Sequence, residues 1–266
     1  MIGAARARRI DHVFLLRELV KRDFQSRYAG SALGFVWSLL QPLWQLALFT
    51  FVFSTVLDVS LTGEARTDSF AVFLFCALIP WIAVQEGVSR STTAITDGAQ
   101  LVKKMRFPPE LLVVATVVSG LIQAALASVV LFGVLLVQGA GRLGSLWVLL
   151  LALPFQVALT LGLGLVTSTV HVFFRDTAQL IAIVLSTWFY VTPIVYPLEW
   201  VPEGVARSVI GANPLATIVE LYRHAFLGGA GVSGRALLML ALTALPLLGL
   251  GLWLFRTFKP AFADEI

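Results

Sequence analysis

The amino-acid sequence predicts an all-α integral membrane protein with six transmembrane helices in one domain, residues 1–266. Hydrophobic residues make up 58% of the 266 residues and charged residues only 13%, whereas soluble domains carry about 45–50% apolar and about 25% charged residues. Most of the apolar residues fall in six long runs without charge. This composition excludes a soluble globular domain, and it excludes a disordered chain, which needs low hydrophobicity and high net charge.

Residue types that usually support catalysis or metal binding are scarce. Cys76 is the single cysteine, and the three histidines, His12, His171 and His224, are dispersed. A disulfide scaffold and a CxxC motif are therefore excluded. The six uncharged runs also contain no carboxylate or cation that could form a proton relay. We expect no metal site, no cofactor in this chain and no catalytic residue.

The uncharged runs define the expected spans. A helix that rises 1.5 Å per residue needs about 20 apolar residues to cross roughly 30 Å of hydrocarbon. Five runs are long enough, and the second becomes so if it extends through Glu86 to Arg90, whose i,i+4 pairing would stabilise that end. The first run is too long for the apolar part of a signal peptide and is expected to remain as a span. The predicted spans are residues 31–57, 69–90, 111–139, 145–173, 177–198 and 236–256.

The basic residues predict that both termini are cytoplasmic. An even number of spans puts the termini on one side, and this orientation leaves 14 of the 19 Lys and Arg residues on the cytoplasmic side and five outside. Such a bias is the positive-inside pattern of membrane proteins. The net charge of +4 then describes an inner membrane face, and no nucleic-acid partner is needed to explain it.

Segment 11–29 has the pattern of a helix that lies in the membrane interface. Apolar residues recur every four positions, and charged residues occupy the other side. The segment could serve membrane anchoring alone, or it could also dock a cytoplasmic partner. The candidate docking residues are Arg17, Lys21 and Arg22.

Segment 96–108 connects the second and third spans. It predicts a short helix with an apolar stripe among basic residues, stopped by Pro108 and Pro109 because proline ends one helix and favours the start of the next. A short rigid helix of this kind suits docking by a partner, although a basic loop could serve topology alone. The candidate coupling residues are Leu101, Lys103, Lys104, Met105, Arg106 and Phe107.

Segment 199–228, between the last two spans, is too apolar for an ordinary loop. It predicts two short amphipathic helices, the second opened by Asn213 as N-cap and Pro214 at the first helical position. Irregular backbone at membrane depth requires cover by protein or a water-filled cavity. The segment therefore indicates an outer gate, with Trp200 in its first part, or alternatively a surface cap that does not gate.

The first and fifth spans carry most of the aromatic and polar side chains that could line a substrate path. Aromatic rings stack on the apolar faces of sugars, but they are also common at membrane interfaces and in helix packing. The candidate path residues are Trp37, Gln41, Trp44, Gln45, Trp188, Tyr190, Thr192 and Tyr196.

The sequence contains no GxxxxGK[ST] motif, so the chain cannot bind ATP through a P-loop of its own. A transporter of this kind would take its energy from a separate subunit.

Four stretches, in order along the chain, resemble the ABC-2-type permeases that export polysaccharides. They are 27–43 (RYAGSALGFVWSLLQPL), 101–108 (LVKKMRFP), 174–176 (FRD), and 192–197 (TPIVYP) followed by Asn213–Pro214. Members of this family are the membrane subunits of O-antigen, capsule and teichoic-acid transporters. The resemblance covers nearly the whole chain.

The resemblance implies a homodimer of this subunit with two copies of a cytoplasmic ATPase, which would bind ATP and Mg. Segments 11–29 and 96–108 would dock on that ATPase, although Asp97–Gly98–Ala99 replaces a more polar stretch expected there. The first and fifth spans would bound the channel, and segment 199–228 would form its outer gate. The expected function is movement of an undecaprenyl-linked glycan across the bacterial plasma membrane, with the identity of the glycan left open.

The sequence leaves two alternatives open. The first is an ABC-2 exporter of a drug or lipid, which the basic run at 101–108 and the helices of 199–228 disfavour. The second is a membrane transferase that acts on a lipid-linked sugar. A transferase would need acidic or histidine residues clustered at one membrane face, whereas these residues are scattered along this sequence.

Overall fold

The computed structural model describes residues 2–27, 31, 33–57, 69–104, 108–139, 141, 143–229 and 232–266, and these residues contain helices and no β-strand. Eleven α-helices are assigned within this part of the chain. They are α1 (Ile2–Arg27), α2 (Trp37–Phe49), α3 (Phe70–Asp97), α4 (Ala99–Lys104), α5 (Glu110–Val137), α6 (Trp147–Phe173), α7 (Thr177–Val191), α8 (Val205–Gly211), α9 (Pro214–Leu227), α10 (Gly234–Phe258) and α11 (Phe262–Glu265).

Four helices, α3, α5, α6 and α10, are long and apolar enough to cross a membrane. At 1.5 Å per residue, the 28 residues of α3 extend about 42 Å. Two further apolar helices, α2 and α7, are shorter. The all-helical class is thus confirmed, with four helices of spanning length, and the count of six spans stays a prediction.

Two helices end at positions that differ from the predicted span limits. Helix α3 continues past Arg90 to Asp97, because Arg90 is paired with acidic groups and need not end the helix at a water boundary. Helix α7 ends at Val191 and not at 198. The following Thr192 is extended, with ψ of 135°, since the residue before Pro193 avoids the helical region.

Helix α3 forms the centre of the bundle. Within an apolar stretch of 18 residues of α3, 83% of the residues are buried. The helix packs against α5, α6, α7 and α9. Helix α10 lies on the other side of α6. The first half of this central helix is apolar, and its polar residues begin at Gln85, toward its C-terminal end.

Glycines in α6 and α10 allow these helices to pack closely. A Cβ added at Gly251 would lie 2.6 Å from the carbonyl oxygen of Gly162, and a Cβ at Gly164 would lie 2.8 Å from the Cβ of Ser91. Small residues at such contacts let helix backbones approach within the membrane. The Gly162–Gly164 pair therefore serves helix packing on both faces of α6.

Helix α9 is enclosed by other helices and contacts α3, α6 and α10. Asn213 caps it as expected, with its side chain accepting a hydrogen bond from the N–H of Leu215, and Pro214 occupies the first turn. Gly228 follows the helix with φ of 74°, a conformation that glycine adopts at low cost. The side chains that expose 1% or less of their surface are Leu215, Ile218, Val219, Leu221, Ala225 and Phe226.

Candidate functional site

The residues of functional interest lie at opposite ends of the bundle. We call the end where α3 and α10 finish and α5 begins the α4 end, because α4 lies there. The opposite end, where α3 begins and α9 lies, is the α9 end.

At the α4 end, an ion pair joins α1 to α3. Both guanidinium nitrogens of Arg90 donate to the carboxylate of Asp23, with 3.0 Å between Nη1 and Oδ2. Glu86 lies one turn earlier on α3, with 3.8 Å between its Oε1 and Nη1 of Arg90. The expected Glu86–Arg90 pair is present, but Asp23 was missed, because a lone acid in a basic segment gives no local signal of its partner.

A separate apolar cluster lies between α4 and the rest of the bundle. Phe262 of α11 is fully buried in this cluster beside Ile95 and Phe255. Leu101 and Val102 of α4 pack against it, and so does Leu19 of α1. The C-terminal segment thus holds the predicted coupling helix against the bundle, a role that was not evident in the sequence.

Most of the predicted docking cations that the structure describes face outward. Lys103 is exposed on α4, and Arg17, Lys21 and Arg22 are exposed on α1. Lys104 is the last residue of α4. Met105, Arg106 and Phe107 lie outside the described residues.

A second ion pair at this end joins the end of α10 to the start of α5. Lys259, directly after α10, donates to Oε2 of Glu110 at the start of α5, at 2.8 Å. Each of these side chains exposes 36% of its surface. Water therefore competes for both partners, and the pair is expected to contribute less than about 1 kcal/mol.

At the α9 end, the side chain of Asn213 joins α7 to α9. Its Oδ1 accepts hydrogen bonds from Nε1 of Trp188 and from the backbone N–H of Leu215, both at 3.0 Å. Its Nδ2 donates to Oγ1 of Thr192 at 2.9 Å. Two predicted path residues and one predicted gate residue are thus brought together in one hydrogen-bonded group.

Arg223 of α9 is buried near this group and exposes 4% of its surface. Its Nη2 donates to the carbonyl oxygen of Ile194 at 3.0 Å, and its guanidinium lies 3.6 Å from the ring centroid of Phe73. Sequence reasoning treated Arg223 only as one of the outer cations. Its position on the apolar, periodic face of α9 was the available signal that it points inward.

A third buried group links α9 to α6 and α3. The hydroxyl of Tyr222 donates to Oε1 of Gln156 at 2.8 Å. Nε2 of Gln156 donates in turn to the carbonyl oxygen of Pro80 at 3.4 Å. These contacts satisfy polar groups in the middle of the bundle, where water is excluded.

The remaining predicted path residues lie on α2, on α7 and in the segment that follows α7. Trp44 exposes 71% of its surface and Trp37 exposes 44%, while Gln41 is exposed and Gln45 is half-buried. Tyr190 exposes 70% of its surface. The hydroxyl of Tyr196 donates to the backbone carbonyl oxygen of Tyr190 at 2.9 Å. Trp200 is half exposed before α8. Thr192 exposes no surface, so it contacts no ligand in this conformation.

No group of three or more metal-binding side chains occurs among the described residues. Within the described residues, the site thus has three parts. Exposed cations of α1 and α4 lie at one end, and the hydrogen bonds of Asn213 join α7 to α9 at the other. Exposed aromatic side chains lie on α2 and α7, which both contact α3.

Several known proteins are similar to this chain over most of its length. The chain is similar to the O-antigen export system permease protein RfbA of Myxococcus xanthus, with 28% identity over 253 residues, or 95% of both chains. It is 29% identical over 251 residues to the RfbA protein of Klebsiella pneumoniae, covering 94% of each. It is also 26% identical to the polysialic acid transport protein KpsM of Escherichia coli, over 91% of this chain and 93% of that one.

The model of the family described as ABC-2 type transporter matches residues 15–227. This match confirms the resemblance noted from the four sequence stretches. Membership of this family implies that the chain is a transport permease of the membrane, and permeases of this family associate with an ABC ATPase. The chain belongs to the ABC-2 type transporter family.

Proposed function

We propose that this chain is the channel-forming subunit of an ATP-driven exporter that moves a lipid-linked polysaccharide from the cytoplasmic to the outer face of the plasma membrane. The observation that carries the proposal is similarity over more than nine-tenths of the chain to proteins named as O-antigen export and polysialic acid transport proteins. The cargo would be an O-antigen, capsule or teichoic-acid-like glycan on an undecaprenyl carrier.

The α4 end is the proposed ATPase-docking surface, and the proposal places it, with both termini, in the cytoplasm. Exposed cations on α1 and α4 would contact an ATPase subunit that binds ATP and Mg, and two such subunits would serve a homodimer of this chain. Support comes from the packing of α4 on the cluster that contains Phe262. A helix packed in this way can transmit a displacement to α3 and α5 without first detaching from the bundle.

The faces of α2 and α7 that carry exposed aromatic side chains are the proposed walls of the path. Sugar rings present apolar C–H faces, and aromatic side chains offer large, rigid surfaces for them. The proposed outer gate is the pair of helices α8 and α9, with Trp200, Asn213 and Pro214. Support comes from the hydrogen bonds by which Asn213 connects α9 to the end of α7.

The proposal is tested by co-expressing the chain with candidate ATPases, purifying the complex into lipid nanodiscs and measuring ATP hydrolysis with different undecaprenyl-linked glycans. We expect a stable complex and stimulation by one glycan class. Stable pairing with stimulation only by a drug or a simple lipid would transfer the assignment to another ABC-2 cargo. Failure of every ATPase to bind would contradict the docking surface.

Replacement of Lys103 by Glu is a direct probe of that surface. The cation is exposed, so the substitution should leave folding unchanged and weaken ATPase binding. Arg235→Glu is a matched control, because Arg235 is an exposed cation at the start of α10, at the opposite end. Equal ATPase binding by both variants would contradict the proposed docking surface.

A further inference from the structure

Helix α11 is a fixed extension of α10. One 3₁₀ turn, Lys259–Ala261, joins the two helices, and the backbone N–H of Phe262 donates to the carbonyl oxygen of Lys259. The backbone N–H of Lys259 donates in turn to the carbonyl oxygen of Phe255 on α10. The turn also contains Pro260, whose ring fixes φ. A displacement of α11 is therefore passed to the end of α10.

The side chain of Phe262 points from this extension back into the bundle. It is fully buried, and its ring centroid lies 5.1 Å from that of Phe255 on α10 and 6.4 Å from that of Phe173 on α6. Phe173 also meets Phe258, the last residue of α10, at 5.6 Å between ring centroids. Closely packed rings leave little room for compression. The ends of α6 and α10 are thus joined through one group of aromatic side chains.

Helices α6 and α10 are also in close contact further along their length. A Cβ added at Gly162 would lie 2.8 Å from the backbone nitrogen of Leu248, and one added at Gly251 would lie 2.6 Å from the carbonyl oxygen of Gly162. Neither helix can move toward the other without a clash between backbone atoms. A force on the end of one helix therefore acts on both.

Helix α4 reaches the same aromatic side chains from another side. Leu101 and Val102 pack against the apolar cluster to which Phe255 and Phe262 belong, and α4 contacts α11. Gly98 ends α3 immediately before α4, so α4 is not a continuation of the central helix. A displacement of α4 is then passed on through its side-chain contacts as well as through the chain.

We propose that Phe262 is a positioning residue for ATP-driven transport, which passes the displacement of α4 to the packed pair α6 and α10. The inference rests on the proposed function, in which α4 docks the ATPase, and it adds α6 and α10 to the helices that respond. Because Phe262 is fully buried, it acts through its volume. A smaller side chain leaves space in which α4 can move without displacing α10.

The first test compares Phe262→Leu with Phe75→Leu in the purified complex with its ATPase, in nanodiscs. Both side chains are fully buried, but Phe75 belongs to the other apolar cluster, with Leu74 and Phe226. Both variants should therefore lose similar thermal stability and bind the ATPase normally. We expect the glycolipid transported per ATP to fall about fivefold in Phe262→Leu, within the range by which residues between coupled sites change coupling. It should stay unchanged in Phe75→Leu.

The second test shows which helix stops responding. In a Cys76→Ala background, a spin label is attached at Gln100→Cys on α4 or at Trp253→Cys on α10, both of which are exposed positions. Pulsed EPR measures the distance between the labels of two copies of this chain, with and without ATP trapped by vanadate. With Phe262 present, the distance should change at both positions. In Phe262→Leu it should change at position 100 only.

Phe255→Leu is a second variant, which opens the same space from the side of α10, and it should give the same pattern. A label at position 253 that responds equally with and without Phe262→Leu would overturn the inference, and so would equal losses of transport per ATP in Phe262→Leu and Phe75→Leu. Both results would leave the export function intact. Absence of glycolipid transport by the unsubstituted complex would contradict the export function, whereas the response of position 253 to ATP would still test Phe262.

Discussion

The two ends of the bundle are held together by different kinds of contact. At the α4 end, partly exposed ion pairs, Asp23–Arg90 and Lys259–Glu110, join α1 to α3 and α10 to α5. At the α9 end, buried hydrogen bonds of Asn213 and Arg223 join α9 to α7 and to the turn that follows it. Water and salt compete with the first kind of contact but not with the second.

Under the proposed function, the difference predicts how the two ends would behave during transport. Contacts that water can replace break and reform at low cost, which suits helices that must respond to a partner. Buried polar contacts lose their full hydrogen-bonding energy when separated, which suits a barrier that stays shut until it is forced open. Substitutions should therefore mainly affect stability at the α9 end and mainly affect coupling at the α4 end.

The largest effect on stability is expected from Arg223→Met. The substitution leaves the carbonyl of Ile194 without its donor and removes the cation from the ring of Phe73. We expect the free energy of unfolding to fall by about 2–3 kcal/mol, measured by thermal unfolding of the purified protein. Arg207→Met, at a partly exposed cation of α8 that pairs with the exposed Glu203, is the control. Equal midpoints for the two variants would refute the importance of burial.

Asn213→Ala should have the next largest effect, about 1–2 kcal/mol, because it removes an N-cap together with two tertiary hydrogen bonds. Ser233→Ala is the matched control. Ser233 caps α10 through the N–H of Ala236 in an exposed position, so its loss should cost less. A cost at Asn213 no greater than that at Ser233 would show that the links to Trp188 and Thr192 contribute nothing.

Asp23→Asn should reduce stability by less than about 1 kcal/mol, since the pair is only partly buried, yet it should weaken the link between α1 and α3. We expect ATP hydrolysis by the complex to continue while export per ATP falls. A charge swap, Asp23→Arg with Arg90→Asp, tests the link as a double-mutant cycle. If the swap restores nothing beyond the sum of the single variants, the ion pair has no coupling role.

Glu110→Gln should produce the smallest effect. It weakens the contact with Lys259, whose side chain is as exposed as that of its partner. The expected loss is about 0.2–1 kcal/mol at low ionic strength, and it should shrink further in 1 M salt, where charges are screened within about 3 Å. Thermal unfolding at both salt concentrations measures it. A loss that does not change with salt would mean that the contact is shielded from solvent.

Local features of the sequence predicted much of the fold. The cap at Asn213 and the first-turn position of Pro214 appear as expected, because both depend on residues next to them in the chain. The end of α7 differs from the prediction for an equally local reason, the effect of Pro193 on Thr192. The uncharged run continues to 198, past the end of α7 at Val191, since the absence of charge indicates where a chain can lie and not where its helix stops.

The candidate site was predicted less completely. Trp188, Thr192 and Asn213 were each singled out, but nothing in their spacing indicated that their side chains form one group. Phe262 and Gln85 were not singled out at all. Phe262 packs in the cluster beside α4, and Gln85 lines a cleft with Gln41 of α2 and Gln123 of α5. Both positions depend on helices distant in sequence.

The sequence by itself determined that the protein is helical and membrane-embedded and that it belongs to the ABC-2 type transporters, because composition, uncharged runs and short motifs are properties of neighbouring residues. Only the tertiary structure decided that Arg223 is buried, that Asp23 pairs with Arg90 and that α6 touches α10 through Gly162 and Gly251. These contacts join residues far apart in the chain. Their partners are chosen by how the helices pack, and helical periodicity shows which face is apolar but not which helix will cover it.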